Sequence, residues 1–291
     1  MGLWVGEGVM TGADVEVARV GNRWRVSRPW HPGLRPYLRS YAGYFETTPA
    51  PYQVRVVPSG RAVLVLNLAA PFSRVERMGV AGGSSGRIGS LVVGLEDRPA
   101  LLEHPGGQEA IRVEFSPLGA YRLFGLPMRE LTNRAVELTD VLGPGGGRLV
   151  ERLAATADWR SRFDLLDGAL LARVAGGPEP AAEVRRAWQL LVRSGGSLPI
   201  AAIAAEVGWS HGYLVRRCTE QVGLAPKASA RVLRFHRAVA MLGRGDRKLV
   251  DTALACGYAD QAHLSREFRV LAGVSPARLQ AARRAEGALT V

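Results

Sequence analysis

The chain has 291 residues, which is long enough for two domains that each bury a core of their own. Its formal net charge of +12 favours an acidic partner such as nucleic acid, although an anionic membrane surface would also be compatible with it. No stretch reaches the about 18 unbroken apolar residues of a membrane-spanning helix, and the N-terminus lacks the pattern of a signal peptide. Cys218 and Cys256 fall at inward helical positions, which indicates a reducing, cytoplasmic environment and neither a disulfide nor a metal pair.

The first half of the sequence has the short alternating segments typical of strands. Strands are predicted at residues 40–45, 52–57, 61–68, 90–95 and 109–115. The turn sequence Pro58-Ser59-Gly60 predicts a hairpin between the second and third of these strands, and the Gly- and Ser-rich residues 79–89 predict a loop. Several short strands at this spacing predict a small barrel or sandwich.

Helical patterns replace the strands after residue 115. Ser116 and Pro117 predict the start of a helix that ends at Gly125, and residues 143–147 predict a break. Residues 149–174 predict one or two amphipathic helices before a Gly-Gly-Pro linker at 176–178. The predicted division is a β-rich sensor or dimerisation domain at 1–146, a helical linker or dimerisation segment at 147–178, and a helical domain at 179–291.

The residues between Gly208 and Pro276 contain two matching units. The first has Gly208-Trp209, Leu214, Arg216, Cys218, Gly223 and Pro226, and the second has Gly257-Tyr258, Leu264, Arg266, Phe268, Gly273 and Pro276. Each unit predicts a helix that ends at a Gly and a second helix capped by Ser210 or Asp260. Two short helices around a tight turn are typical of a helix-turn-helix, whose second helix enters a DNA major groove.

The outward faces of the second helices favour DNA over a plain helical bundle. Arg can bind guanine and Gln adenine through two hydrogen bonds, while small residues allow close approach. The predicted DNA-binding residues are His211, Gly212, Val215 and Arg216 in the first unit, and Gln261, Ala262, His263, Ser265, Arg266 and Arg269 in the second. The basic excess also lies here, because residues 176–291 carry 17 Lys and Arg against 9 Asp and Glu.

These residues give the sequence a family resemblance. The segments Ile203–Ser210, Ala253–Phe268 and Gly273–Pro276 resemble the DNA-binding domain of AraC/XylS-type transcription regulators. The first unit departs from the family pattern, because Cys218 stands where a core Phe is usual. The resemblance implies a cupin-like β-rich N-terminal domain that senses a small molecule, with RNA polymerase and a second copy of the chain as further partners.

The segment that joins the two units predicts a connecting helix. Pro226 suits the first helical position, and the apolar face continues to Leu242. Such a helix spans roughly 25 Å, which suits two reading helices held about one DNA turn (~34 Å) apart. Its Arg234 precedes Phe235 as the family's linker helix usually reads, which implies a DNA contact.

The N-terminal half lacks a recognisable catalytic pattern. Its two histidines, His31 and His104, are far apart, and no phosphate loop, nucleophile elbow or dinucleotide fingerprint is present. Arg55, Arg112 and Glu114 could line an effector pocket, but we expect them to pair with one another or with solvent. No cofactor, metal or enzyme activity is predicted. A sequence-specific DNA-binding regulator is therefore the preferred function, and the alternatives are a nonspecific nucleic-acid binder and an N-terminal enzyme with an accessory helical domain.

Overall fold

The computed structural model describes residues 9–12, 15–20, 23–46, 52–69, 74–77, 89–104, 106–243 and 248–285. Within these ranges the N-terminal half is antiparallel sheet and the remainder is helical, with two helix-turn-helix units near the end. This architecture confirms the predicted fold class: a β-rich N-terminal domain of barrel or sandwich type, followed by an all-α part.

The strands of the described residues form two sheets. They are β1 (Val9–Gly12), β2 (Val15–Val20), β3 (Arg23–Ser27), β4 (Leu38–Glu46), β5 (Tyr52–Val56), β6 (Ala62–Asn67), β7 (Arg74–Arg77), β8 (Leu91–Val93), β9 (Ala100–His104), β10 (Glu109–Phe115) and β11 (Ala135–Glu137). The larger sheet has the order β1-β2-β3-β4-β10-β6-β8-β11, and the smaller one has the order β5-β9-β7. Every pairing among the described strands is antiparallel; strands β1 to β4 pair in chain order, whereas β4 pairs with β10 and β5 with β9, which are distant in sequence.

The predicted hairpin across Pro58–Gly60 is wrong. Strand β5 pairs with β9, whereas β6 pairs with β10 and β8. The connection therefore carries the chain from one sheet to the other, and Gly60 has the positive φ of 73° that this change of direction uses. The predicted loop at residues 79–89 lies, apart from Gly89, outside the described residues.

The central strands of the larger sheet are buried on both faces. One face packs against the smaller sheet through Val63, Val65 and Ala110, which lie near Leu102 of β9. On the other face, Tyr41 contacts Phe163 with ring centroids 4.9 Å apart. Gly43 lies beside them, where an added Cβ would come within 2.0 Å of the Trp159 ring. A side chain at this position would therefore displace the helix that covers the sheet.

Eleven α-helices are assigned in the described residues. They are α1 (Pro117–Phe124), α2 (Leu138–Leu142), α3 (Pro144–Ala155), α4 (Trp159–Gly176), α5 (Ala182–Arg193), α6 (Ile200–Glu206), α7 (His211–Gln221), α8 (Pro226–Gly243), α9 (Leu249–Ala255), α10 (Gln261–Ala272) and α11 (Pro276–Ala285). None of the helices in these ranges has both the length and the hydropathy needed to cross a bilayer.

The predicted break at residues 143–147 is only partly right. Gly143 interrupts the chain with a φ of 65°, but helix α3 begins at the next residue and includes the three following glycines. Pro144 occupies the first helical position, where its fixed φ favours helix and its missing N–H is not needed. The helix then continues into the amphipathic region predicted from residue 149.

Helix α8 connects two buried clusters. Its Val232 belongs to a large cluster that reaches from the β-rich half through the first helix-turn-helix unit. Its Phe235 belongs to a second cluster formed with the second unit, where it contacts Phe268 with ring centroids 4.8 Å apart. The predicted connecting helix is thus present, and each unit packs against a different half of it.

Candidate nucleic-acid interface

The start of each second helix is fixed by a side-chain cap, as the sequence predicts. The Ser210 hydroxyl accepts a hydrogen bond from the Tyr213 amide at 3.3 Å, and Asp260 Oδ1 accepts one from the His263 amide at 2.6 Å. These bonds satisfy amides that have no partner within the helix. Each turn before the cap contains a glycine with positive φ, 70° at Gly208 and 76° at Gly257.

Helix α7 of the first unit has one buried face and one exposed face. Leu214 and Cys218 are 0% and 3% exposed, and burial raises the pKa of the Cys218 thiol to about 12. This thiol is therefore a neutral core group, as predicted. The predicted contact residues occupy the other side: His211, Gly212 and Arg216 are exposed, and Val215 is half-buried.

Helix α10 of the second unit separates its two faces in the same way. Leu264, Phe268 and Leu271 are completely buried. The predicted contact residues Gln261, Ala262, Arg266 and Arg269 are exposed, while His263 and Ser265 are half-buried. The helix thus presents two guanidinium groups and an amide to solvent along one side. Such a surface can contact phosphates and the edges of bases.

Two predicted contact residues are also held by the turn of the second unit. The His263 ring packs edge-on against Tyr258 with centroids 5.2 Å apart, and its Nδ1 accepts a hydrogen bond from the Ala259 amide at 3.4 Å. The Arg234 guanidinium of α8 lies 5.7 Å from the centre of the same Tyr258 ring. Both side chains therefore support the turn, and their predicted DNA contacts remain predictions.

One aromatic residue of α7 itself, Tyr213, was not among the predicted contact residues. Tyr213 is 40% exposed and packs edge-on against Trp209, with ring centroids 4.7 Å apart. The Arg216 guanidinium lies 4.9 Å from the centre of the Tyr213 ring. Tyr213 thus limits the positions available to Arg216. The three-residue spacing between an aromatic and an Arg on one helix face is the signal that could have indicated this pair.

An ion pair ties α10 to the connecting helix. Arg231 of α8 donates two hydrogen bonds to the Glu267 carboxylate, at 3.1 Å from Nε and 3.0 Å from Nη2. The hydrogen bond to Glu267 raises the pKa of Arg231, and the nearby charges of Glu267 and Asp97 add to this effect although burial opposes it. Asp97 belongs to the β-rich half, so charge from that half reaches the α8–α10 contact.

The β-rich half also touches both helix-turn-helix units directly. Thr132 Oγ1 donates a hydrogen bond to the Gly223 carbonyl at the end of the first unit, at 2.7 Å. Arg55 of β5 donates one from Nη1 to the carbonyl of Ala272, the last residue of α10, at 3.2 Å. Arg55 therefore contacts the second helix of the second unit, whereas we expected it to pair with neighbouring charges or with solvent.

Glu114 of β10 forms the main buried ionic cluster on the sheet. The residue is 4% exposed, and its carboxylate pairs with Arg61 and, at 3.1 Å, with Arg112. Burial favours the neutral acid, but the positive charges of Arg112 and Arg61 outweigh it, so that the pKa of Glu114 is lowered. The expected pairing of Arg112 with Glu114 is confirmed, although the carboxylate lies inside and not on an outer face.

Two family models match the chain, one in the β-rich half and one in the helical half. Residues 203–282 match the family model described as a helix-turn-helix domain. These residues form a helix-turn-helix domain of the AraC type. Residues 28–137 match a domain of unknown function (DUF6597). Among curated proteins, no sequence matches this chain.

Solved structures similar to this chain include short chains that match its C-terminal part and longer chains that match most of it. The AraC-type DNA-binding domain of a transcriptional regulator from Chromobacterium violaceum is 28% identical, with 36% of this chain and 93% of that chain covered and a TM-score of 0.33. The C-terminal domain of AraT, a response regulator from Geobacillus stearothermophilus, is 25% identical, with 36% and 89% covered and a TM-score of 0.34. ToxT from Vibrio cholerae, bound to an unsaturated fatty acid, is 14% identical, with 93% and 96% covered and a TM-score of 0.40.

Proposed function

We propose that this protein is a transcription regulator that reads a specific DNA sequence with α7 and α10 in two adjacent major grooves. The observation that carries the proposal is the arrangement of α10: its apolar side is completely buried, and Gln261, Arg266 and Arg269 are exposed on the other side. Bidentate contacts from Arg and Gln side chains distinguish bases in the major groove. Helix α7 repeats this arrangement with Arg216.

A nonspecific nucleic-acid binder is the second candidate, and the net charge of +12 favours it. The two candidates are separated by selecting binding sites from a random duplex library at several salt concentrations. A specific regulator yields a sharp consensus with two parts about one helical turn apart at every salt concentration. A nonspecific binder yields no consensus, and its affinity for all duplexes falls together as salt is raised.

The role of Arg266 is tested on the selected consensus. If the side chain binds a guanine, Arg266→Ala weakens binding by about 1–3 kcal/mol and relaxes the preference at one base pair. Arg278→Ala is the matched control, because Arg278 is exposed on α11, outside the predicted interface. An equal loss on every sequence would make Arg266 a phosphate contact, and no loss would remove Arg266 from the interface.

We further propose that the β-rich part, residues 1–146, controls the DNA-binding part, residues 179–291, in response to a small molecule, with residues 147–178 as a connection or dimer contact. The contacts Thr132–Gly223 and Arg55–Ala272 support this, because a change in the β-rich part would reach both reading units. Screening small molecules for a shift in thermal unfolding and in DNA affinity tests the proposal. A ligand that changes the unfolding temperature but leaves the DNA affinity unchanged would contradict regulation of DNA binding by the β-rich part.

A further inference from the structure

We infer that Arg55 is a positioning residue for the second reading helix: from the β-rich half, its guanidinium holds the C-terminal end of α10. The inference rests on the proposed function, in which α10 reads bases. The contact of Arg55 with α10 lies at the end of the helix and leaves the side chains of Gln261, Arg266 and Arg269 exposed. It acts instead through the backbone carbonyl of Ala272, 217 residues away in the sequence.

The chemistry of a helix end makes this contact favourable. The last carbonyls of a helix have no amide partner within the helix, and the helix dipole places partial negative charge there. In α10 the Gly273 amide bonds back to the Arg269 carbonyl, which closes the helix with a left-handed residue. The Ala272 carbonyl accepts its hydrogen bond from Arg55. A cationic donor at this position gives the Ala272 carbonyl a hydrogen bond and interacts favourably with the negative end of the helix dipole.

The residues that follow Arg55 extend the contact along the second unit. Val57 packs against the buried cluster that contains Phe268. At Gly60, an added Cβ would lie 3.4 Å from Leu233 of α8. The chain from β5 to β6 therefore contacts both α8 and the second unit's core. Because several neighbouring residues share the contact, the Arg55 guanidinium is held close to the end of α10.

Three polar contacts thus fix α10 without using its exposed side. Asp260 caps its beginning, Glu267 pairs with Arg231 of α8, and Ala272 accepts from Arg55. Only the third contact comes from the β-rich half. Base readout requires side chains placed within about 0.5 Å, so loss of the third contact is expected to impair reading by α10 and to spare reading by α7.

The test uses the full-length protein and its selected consensus. Arg266→Ala relaxes the preference at one base pair of the consensus. The part of the consensus that contains this base pair is taken as the part read by α10. Arg55→Ala is expected to weaken binding about 3- to 10-fold, the size of a lost charge contact at a helix end. Base discrimination should fall in the α10 part of the site and stay unchanged in the α7 part. Arg55→Lys, which keeps the charge, should restore most of the affinity.

Gln53→Ala is the matched control, because Gln53 is exposed on the same strand. Hydrogen exchange provides a readout without DNA: Arg55→Ala should speed exchange at the C-terminal amides of α10 and leave α7 unchanged. Unchanged affinity, an equal loss of discrimination in both parts of the site, or tighter binding would each overturn the inference. If the wild type shows no consensus, the proposed function fails, and the exchange experiment still decides whether Arg55 holds α10.

Discussion

The Arg231–Glu267 ion pair should be one of the stronger polar contacts between α8 and α10, and a double-mutant cycle measures it. The two hydrogen bonds, at 3.0 Å and 3.1 Å, form a bidentate pair. The Glu267 side chain is 14% exposed and that of Arg231 is 31% exposed. Exposed ion pairs contribute about 0.2–1 kcal/mol, and the second parallel hydrogen bond of a bidentate pair adds to this energy. After discounting for the remaining exposure, we expect a coupling free energy of about 1–2 kcal/mol.

The two single substitutions should lower the free energy of opening of α10 by different amounts. Arg231→Ala leaves the more buried carboxylate without its cation, whereas Glu267→Ala leaves Arg231 near Asp97, whose charge also raises the pKa of Arg231. Arg231→Ala should therefore be the more destabilising change. The measured quantity is the local free energy of opening of α10, obtained from hydrogen exchange of peptides that cover residues 261–272 in wild type, both single variants and the double variant.

The Arg217–Glu220 pair in α7 provides the control cycle. It has a single hydrogen bond of 2.7 Å, and its side chains are 27% and 31% exposed. A pair of this kind at a spacing of three residues is expected to contribute about 0.3–0.5 kcal/mol. If the α8–α10 pair shows no larger coupling than this control, the reasoning from bidentate geometry and burial is refuted. Added salt should reduce both couplings, and the more exposed control pair by the larger fraction.

Two further predictions concern a cap and a buried acid. Asp260→Ala removes the acceptor for the His263 amide and should lower the opening free energy of α10, measured by hydrogen exchange, by about 1 kcal/mol. Asp260→Asn keeps an acceptor and should retain most of the opening free energy. Equal effects of the two substitutions would contradict the role of Asp260 as a cap. The lowered pKa of Glu114 means that its charge stabilises the fold above its unfolded pKa of about 4.5, and that this stabilisation is lost as pH falls through the lower folded value. Glu114→Gln should therefore flatten the acid side of a plot of unfolding temperature against pH, and an unchanged slope would contradict the ion-pair argument.

Features with local causes could be predicted from the sequence. Ser210 and Asp260 could be predicted as caps because a capping side chain bonds to an amide only three residues away. Gly208 and Gly257 could be predicted as helix ends because the residue after a helix often has a positive φ, which Gly adopts easily. The inward stripes of α7 and α10 follow from helical periodicity alone. For the same reason the exposed faces could be assigned residue by residue, although nothing local determines which of their side chains binds a base.

Features that depend on distant partners could not be predicted. The turn at Pro58–Gly60 has hairpin composition, but β5 finds its partner in β9, so the choice between sheets is decided by pairing across the sequence. Strand β9 itself lies in a segment rich in Pro and Gly that gives little strand signal. The contact of Arg55 with Ala272 joins residues 217 positions apart and involves a backbone carbonyl, which no sequence pattern encodes.

The two helix-turn-helix units are packed differently against the β-rich half, and this difference bears on the proposed control. The first unit shares its buried cluster with the β-rich half, so Leu214 and Val113 lie in one continuous core. The second unit has its own cluster and is joined to the rest through α8, the Arg231–Glu267 pair, Val57 and Arg55. Moving the first unit against the β-rich half would disrupt a close-packed core, whereas the direct contacts of the second unit with that half that are described above are few and partly polar. Under the proposed control, a signal from the β-rich half would therefore act at lower free-energy cost through its direct contacts with the second unit, whose α10 has the larger number of candidate base-reading side chains.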